Sequence, residues 1–355
     1  MEQVQGLEAD ASSIVLASYH CLEGNTPDFS TIAMTLPLLS IPMRHFLEVA
    51  RSGSVNQAAA RLFVASSAVS RQIAKLEDSL GTPLFERHAR GMALTAAGER
   101  LAAHLRNAQL DIEQVVEQVR DLGGQSARRI RMACTEGFAG HFMPLVMRSF
   151  ESANPGCQLE LHVGSPDGVS ALLARGETDI ALKYVVAPEP GLKIEHSATA
   201  PVYAVLRPDH PLARQRVVSV ADAVRYPLAV GDKGVTARQL FDQACSLQGL
   251  QYHALFVSNF SSVLLPLLRT PDVMLSGLLT VMHLIDEGTV VARPFAEAPL
   301  QQRQLQVLAL EGRTLPPLAQ DFVRHLVDAI ANAGRRKLGR ARASDAAKKE
   351  ISPGR

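Results

Sequence analysis

The chain has 355 residues, of which 47% are hydrophobic and 20% charged, and its net charge is +1. This composition is ordinary for a globular protein of two or three domains. The net charge is too small for the protein to bind nucleic acid through its overall charge alone. The cysteines at 21, 134, 157 and 245 are too widely spaced for a zinc motif. No apolar run reaches the roughly 18 residues of a membrane helix, and the first residues lack the basic region of a signal peptide. A cytoplasmic protein without a membrane partner is therefore expected.

The two ends of the chain carry opposite charge. Residues 1–33 hold five acidic residues and no Lys or Arg, whereas residues 334–355 hold eight Lys or Arg and two acidic residues. Neither end has apolar periodicity, which predicts a disordered extension over residues 1–35 and a disordered basic tail over residues 333–355. The first segment is either translated or lies upstream of a start at Met34 or Met43. The tail is either solvated or touches a DNA backbone without specificity.

Two short helices are predicted between Ser54 and Gly81. Ser54 is placed to cap the first helix, with Gln57 completing a capping box, and Ser66 is placed to cap the second. The second helix has an apolar stripe and stops at Gly81. The stripe consists of Val69, Ile73, Leu76 and Leu80.

The opposite face of the second helix is small and polar at first and basic further along. It carries Ser67, Ser70, Arg71, Ala74 and Lys75. A slim face of this kind enters the major groove of DNA, and small alanines in the first helix let the two helices cross closely, as a helix-turn-helix requires. An ordinary helical hairpin with a solvated face is the alternative.

A hairpin with a basic tip is predicted over residues 82–95. Arg87, His88 and Arg90 surround Gly91 there, in position for a wing that lies along the phosphates. Residues 41–100 hold eight Lys or Arg against five Asp or Glu, so a modest, salt-sensitive contribution to binding is expected.

A long helix is predicted over residues 96–124, capped by Thr95. Apolar residues recur along it at alternating spacings of four and three, which is the seam of a coiled coil. The predicted partner is the same helix in a second subunit, and packing on its own domain is the alternative. The seam consists of Leu101, Leu105, Ala108, Ile112, Val115, Val119 and Leu122.

From residue 128 strand and helix patterns alternate, which predicts a parallel sheet covered by helices. The segment "FLEVARSGSVNQAAARLFVASSAVSRQIAKLEDSLGTPLFERHARGMALTAAGERL" resembles the N-terminal domain of the LysR-type bacterial transcriptional regulators. The pieces that carry the resemblance include "AVSRQI", "LFER" and "AGE", in the same order and almost without gaps. "ARGETDIAL" is similar to a signature of the same family further along, so the likeness covers residues 36–332.

The resemblance implies an α/β multi-domain protein. A winged helix-turn-helix occupies residues 36–95 and a dimerising linker helix residues 96–124. A two-lobed, periplasmic-binding-protein-like domain occupies residues 128–332, with lobe 1 at about 128–199 and 300–332 and lobe 2 at about 200–299. The implied partners are double-stranded promoter DNA, a small-molecule effector, RNA polymerase and a homodimer or homotetramer, with no cofactor. The expected DNA contacts are Ser54, Gln57, Ser66, Ser67, Ser70, Arg71, Lys75, Arg87 and Arg90.

One departure from the family concerns the start of the second helix. Many members have Gln-Pro or Gln-Ser where this chain has Ser66-Ser67. Glutamine reads adenine with two hydrogen bonds, and serine is too short to do so. Base preference at that position is therefore left open.

Effector contacts are expected beyond the carboxyl ends of the strands, where ligands bind in such sheets. Thr135 and Ser165 are placed to hydrogen-bond an anion and Lys183 to pair with a carboxylate, while Glu136 at the mouth would repel an anion. For each residue, loop capping is the alternative. The expected set is Thr135, Glu136, Ser165, Lys183, Tyr184, Asp232 and Ser276.

No catalytic or metal constellation stands out in the sequence. It shows no metal-ligand spacing, no nucleophile elbow and no glycine-rich phosphate loop. An enzyme is therefore not expected, although two-lobed folds do occur in enzymes. The main alternative to a regulator is a small-molecule sensor that does not regulate DNA specifically.

Overall fold

The computed structural model describes residues 39–88, 91–121 and 128–350. The predicted extension over residues 1–35, together with Arg90 and Leu122, lies outside these ranges. None of the helices within them combines the length and apolarity that a membrane crossing needs. The predicted fold class is confirmed, because N-terminal helices and a small hairpin precede a domain with two mixed sheets.

The N-terminal domain packs three helices and a hairpin around one apolar core. Phe46 and Ala58 are completely buried, and the Phe46 ring lies 5.3 Å from that of Phe85. The buried alanines let the helices cross closely, as the sequence predicted. The elements are α1 (Ile41–Ser52), α2 (Val55–Leu62), α3 (Ser66–Leu80), β1 (Phe85–His88) and β2 (Gly91–Leu94).

The two serine caps predicted in this domain have different outcomes. Ser54 caps α2, because its Oγ accepts a hydrogen bond from the backbone N of Gln57 at 3.4 Å. The prediction for Ser66 is wrong: α3 begins at Ser66 and Ala65 is the N-cap. The Ser66 hydroxyl instead donates to Oδ1 of Asn56 on α2, at 2.8 Å, so it joins the two helices.

The linker helix α4 spans Ala96–Asp121, and Thr95 caps it by accepting a hydrogen bond from Gly98 N. Leu105 is only 4% exposed and belongs to the N-terminal core, against which Leu101 also packs. The prediction that the seam faces a second subunit is therefore wrong for Leu105, and it stays a prediction for the half-buried Leu101. The first turns of α4 lie on α1 and use the seam there.

The distal half of the seam is less covered by its own chain. Ala108 and Ile112 are half-buried, and Val115 is 55% exposed. The side chain of Val119 lies outside the described part of the chain, as does Leu122. This half of α4 thus has apolar surface that a partner helix could cover, and the dimer contact remains a prediction.

Lobe 1 contains a five-stranded sheet with strand order β4-β3-β5-β12-β6. Helices cover both faces, with α6 and α13 over one core and α7 over the other. Its elements are β3 (Arg128–Thr135), α5 (Glu136–Ala139), α6 (Phe142–Ala153), β4 (Cys157–Gly164), α7 (Pro166–Ala174), β5 (Ile180–Val185), β6 (Leu192–Thr199), β12 (Gln304–Leu310) and α13 (Pro317–Glu350).

Lobe 2 contains a second five-stranded sheet, ordered β11-β7-β10-β8-β9. Leu300 is buried in its core, so the return to lobe 1 begins after this residue rather than at 300. Besides a short 3-10 helix (Pro211–Arg214), its elements are β7 (Tyr203–Leu206), α8 (Val220–Ala223), β8 (Leu228–Gly231), α9 (Thr236–Leu247), β9 (Ala254–Ser258), α10 (Ser261–Leu267), β10 (Val273–Ser276), α11 (Leu278–Asp286), β11 (Val291–Pro294) and α12 (Ala298–Gln301).

The prediction of a parallel sheet is confirmed for some strands of each lobe and wrong for others. In lobe 1, β3 pairs in parallel with β4 and β5, but β12 runs antiparallel to β5 and β6. In lobe 2, β8 is parallel to β9 and β10, while β7 is antiparallel to β10 and β11. The exceptions include β7 and β12, the two strands that enter a sheet from the other lobe, whose direction is set by the crossover and not by a βαβ turn.

The C-terminal segment also departs from its prediction. The backbone of α13 continues to Glu350, so the expected disorder from residue 333 is not what the described backbone adopts. The segment is rich in Ala, Arg and Lys, which are strong helix formers. They extend a helix that packing has already nucleated at low cost.

Candidate functional site

The exposed face of α3 carries the residues expected to meet DNA. Ser67, Arg71 and Lys75 are exposed, while Val69 and Ile73 on the other face are buried. The short side chain at the N-terminal end of this face precedes two long cations, so the helix is slim where it would enter a groove and basic where a phosphate would lie.

A shallow depression lies between α2, α3 and the hairpin. Its lining includes the predicted residues Ser54 and Ser70, together with Asn56 and His88. Gln57 is exposed nearby, on α2. Asn56 was missed as a member of this surface, although its place two residues after a helix cap was a usable signal. Ser66 is half-buried, and its hydroxyl is engaged by Asn56.

The β1–β2 hairpin is fixed beside α3 by hydrogen bonds to the Glu77 carboxylate of α3 and to the turn between α1 and α2. Phe85 pairs with Leu94, and Met92 N donates to Gly53 O at 2.8 Å. Glu77 of α3 accepts hydrogen bonds from Leu84 N and Phe85 N at 2.7 and 3.2 Å. The hairpin therefore holds a defined position next to α3. The side chain of Arg87 on β1 lies outside the described part of the chain, as does Arg90 at the tip.

A cleft of about 230 Å³ lies between the lobes, at the carboxyl ends of strands from both sheets. Six of the seven residues predicted for it are among its lining, and several others were not anticipated. The predicted ones are Thr135, Glu136, Ser165, Tyr184, Asp232 and Ser276. The unanticipated ones include Asn259, Ser261, Thr280 and Arg303.

The prediction for Lys183 is wrong. This residue is 3% exposed, and its Nζ donates to Glu189 Oε1 at 2.5 Å, Ser170 Oγ at 2.6 Å and Pro166 O at 3.0 Å. Consecutive side chains on a strand point to opposite faces, so Lys183 and Tyr184 cannot both face the cleft. Tyr184 lines the cleft, and Lys183 lies on the opposite face of β5, where it hydrogen-bonds to Pro166 and Ser170 of α7.

Glu136 does not present a free carboxylate at the mouth. Its two oxygens accept hydrogen bonds from Ser261 N and Ser262 N, at 2.6 and 3.0 Å. These are the first backbone donors of α10, which has no cap of its own. A lobe 1 residue thus caps a lobe 2 helix, and its charge is taken up across the cleft.

Two further contacts join the lobes close to Glu136. The rings of His141 and His283 stack with their centroids 4.4 Å apart. Burial, and then the neighbouring His141, lower the pKa of His283. A Cβ atom on Gly137 would lie 2.8 Å from Thr280 Oγ1, so a glycine is needed where α5 approaches α11. Lobes 1 and 2 are therefore in close contact along α5.

The deep end of the cleft is formed by Arg303 and Tyr184. The guanidinium lies 3.9 Å from the centre of the Tyr184 ring and is almost completely buried. Burial raises the pKa of Tyr184, so its phenol is neutral near pH 7. The sequence analysis missed Arg303, although a cation at the head of the apolar run "QLQVLAL" was a visible signal.

Besides α5 and α10, the helices α7, α9 and α11 begin at the cleft, and the N-termini of these three differ in capping. Ser165 caps α7 by accepting from Gly168 N, whereas α9 and α11 have no side-chain cap. Uncapped N-termini leave backbone N–H groups for other acceptors. Within the described ranges, no group of three or more His, Cys, Asp or Glu could hold a metal ion.

The linker helix contacts lobe 1 directly. Asn107 Nδ2 donates to Glu311 O at 3.0 Å, and Leu110 is 7% exposed. A Cβ atom on Gly176 would lie 2.6 Å from Leu110 Cδ1, so α4 packs tightly on the turn after α7. A displacement of lobe 1 relative to the DNA-binding domain would therefore displace α4.

Comparison with known proteins agrees with this architecture. The chain matches the "LysR substrate binding domain" over residues 123–331 and the "Bacterial regulatory helix-turn-helix protein, lysR family" over residues 42–99. A "Probable nitrogen assimilation transcriptional activator" of Synechococcus elongatus is 29% identical over 278 residues, which are 77% of this chain and 89% of that protein.

Two other similarities extend over most of the chain. The "Transcriptional dual regulator GltC" of Bacillus subtilis is 27% identical over 303 residues, covering 80% of this chain and 95% of that protein. A full-length OxyR variant of Pseudomonas aeruginosa has a TM-score of 0.53 at 22% identity, covering 81% of this chain and 93% of that one. At that identity the likeness is one of fold.

Proposed function

This chain belongs to the LysR-type family of bacterial transcriptional regulators, and from that premise we propose that a small molecule bound between its lobes changes how its dimer holds promoter DNA. It is a transcriptional regulator with a helix-turn-helix for DNA and a substrate-binding domain. We expect it to act in the cytoplasm, where bacterial promoters lie, with RNA polymerase as a partner.

The observation that carries the proposal is the exposed face of α3 beside a fixed hairpin. Ser67, Arg71 and Lys75 are exposed on this face. Arg71 is the cation nearest the slim end of the helix, so we assign it the main contact with a base edge or phosphate. Asn56 and Ser70 line the adjoining depression and complete the surface.

The distal half of α4 is the proposed dimer contact. Val115 is 55% exposed there, an unusual environment for a valine at a seam position. A partner helix would cover it. A dimer of this kind binds two half-sites in an inverted repeat. Because α4 contacts lobe 1 at Leu110, effector binding to the lobes would change the distance between the two DNA-binding domains.

Footprinting on the DNA upstream of its own gene, at two salt concentrations, tests the proposal. The expected result is a protected inverted repeat that survives the higher salt. Arg71→Ala should bind roughly tenfold more weakly, with a salt slope reduced by about 1, because one ionic contact is lost. The matched control is Arg148→Ala, since Arg148 is an 82% exposed cation on lobe 1.

Two results would contradict the assignment. If Arg71→Ala binds like the parent protein, α3 does not present its recognition face as proposed. If binding is diffuse and disappears with salt, with and without candidate effectors, the alternative of a sensor without specific DNA regulation is favoured.

A further inference from the structure

Arg303 occupies an unusual place for a cation. It is 2% exposed and lies just before β12, on the crossover that returns from lobe 2. Its Nε donates to Ala200 O at 2.8 Å and its Nη2 to Pro201 O at 2.9 Å. These carbonyls belong to the other crossover, between β6 and β7. Arg303 therefore ties the two connections between the lobes to each other.

The charge of this guanidinium has no counter-charge in the described part of the chain. Its hydrogen-bond partners are neutral carbonyls, and its flat face lies on the Tyr184 ring. No Asp or Glu of the described residues forms an ion pair with it, and the neighbours that influence its charge most are two tyrosines. A buried cation in this state is unfavourable unless an anion joins it.

The rest of the cleft supplies neutral hydrogen-bonding groups. Hydroxyls of Thr135, Ser276 and Thr280 line it, and α11 begins there without a side-chain cap. The carboxylate of Glu136 is engaged by the donors of α10. Asp232 is exposed, and its Oδ1 accepts from Lys233 N. The deep end of the cleft is therefore cationic.

We infer that the effector is a small organic acid whose carboxylate lies against Arg303, which makes Arg303 the specificity-determining residue of the cleft. The inference rests on the proposed function, because it names the chemical class of the same effector. Arg303 has donors beyond the two that hold the crossover carbonyls, and a planar guanidinium matches a carboxylate. Since the same side chain holds both crossovers together, binding of a carboxylate to Arg303 would directly affect the two segments that connect the lobes.

Gly277 is part of the same arrangement. A Cβ atom there would lie 2.3 Å from Tyr184 Oη and 2.9 Å from Arg303 Nη2. The glycine thus keeps the Arg303–Tyr184 pair in place at the end of the cleft. A larger residue would push the guanidinium away from the position that the inference requires.

The test is a thermal-shift screen of the full chain with paired compounds. One arm holds small aliphatic and aromatic carboxylates as sodium salts, and the other arm holds the primary amide of each. Stabilising compounds should come from the carboxylate arm. Arg303→Gln should bind the best of them roughly tenfold to a hundredfold more weakly, because a charged hydrogen bond is lost. Lys233→Gln, which removes an exposed cation near the mouth, should bind it like the parent.

Arg303→Lys guards against a variant that fails to fold. It keeps the charge and loses the planar fork, so it should still prefer carboxylates, with weaker affinity. The inference is overturned if amides stabilise as well as acids, if neither arm stabilises, or if Arg303→Gln keeps its affinity. A parallel footprint without compounds separates the two proposals: a protected operator with no preference for acids leaves the regulator and removes only the ligand class.

Discussion

Lobe 1 and lobe 2 both contain a five-stranded sheet, but lobe 1 buries a cluster of ion pairs, whereas the ion pairs described in lobe 2 are partly exposed. In lobe 1, Asp179 is 7% exposed and pairs with Arg131 at 2.9 Å and Arg313 at 2.8 Å. In lobe 2, the pair Arg225–Asp222 is 4.0 Å long, and its arginine is 76% exposed. Buried ion pairs fix relative positions because breaking them leaves an unpaired charge.

The difference matches the positions of the two lobes in the chain. The linker helix contacts lobe 1 through two pairs, Asn107 with Glu311 and Leu110 with Gly176. Lobe 2 reaches lobe 1 through the crossovers and through cleft contacts such as that of Glu136. We therefore expect lobe 1 to act as the fixed platform joined to the DNA-binding domain, and lobe 2 to move against it.

The largest effect is expected from Asp179→Asn, which removes the shared carboxylate of lobe 1. Two arginines then lose their counter-charge, so the free energy of unfolding in urea should fall by about 3 kcal/mol. Arg225→Gln, which breaks the lobe 2 surface pair, should change it by less than about 0.5 kcal/mol. Similar losses for both variants would remove the contrast between the lobes.

The same carboxylate predicts an acid dependence. Burial alone would raise the pKa of Asp179, but Arg131 and then Arg313 hold it below its usual 3.8. A folded pKa below the unfolded one gives stability that is full above about pH 4 and is lost as the pH falls towards the folded value. Unfolding free energy should therefore fall less steeply in acid for Asp179→Asn than for the parent chain.

A smaller effect is expected from Gly176→Ala, which disturbs the platform where it meets α4. Gly176 and Gly191 both have a positive φ, of 70° and 74°, but only at Gly176 would a Cβ meet a neighbour. Subtracting the loss in Gly191→Ala removes the cost of backbone strain. The remaining loss for Gly176→Ala should be about 1 kcal/mol, measured by urea unfolding. Equal losses would mean that Leu110 moves aside freely.

The smallest effect is expected from Glu136→Gln, at the contact between the lobes. Glutamine keeps one acceptor oxygen but loses the charge that holds two N–H groups, which should weaken closure by about 0.5 kcal/mol. Paired labels, one in each lobe, should report a longer or broader interlobe distance in the variant. Glu151→Gln, which removes an exposed carboxylate of α6, should leave the distance unchanged. An unchanged distance in Glu136→Gln would show that this contact does not hold the lobes.

The candidate site was predictable to the extent that its residues follow strands. Thr135, Ser165 and Ser276 come at strand ends, and the rule that ligands lie at carboxyl ends needs no knowledge of packing. Lys183 was misplaced because consecutive side chains on a strand point to opposite faces, and the sequence did not show whether Lys183 or Tyr184 faces the cleft. Arg303 was missed because it precedes its strand, and only the crossover brings it to the same cleft.

The sequence by itself determined the order of domains, the face of α3 and the positions of the strands, because these depend on local periodicity and on caps such as Ser54. Tertiary structure alone decided which partner each polar or apolar side chain meets. Leu105 packs in its own domain, Glu136 caps a helix of the opposite lobe, and Arg303 joins the two crossovers. These contacts link residues far apart in the chain, and their geometry depends on how whole elements pack, which no local pattern contains.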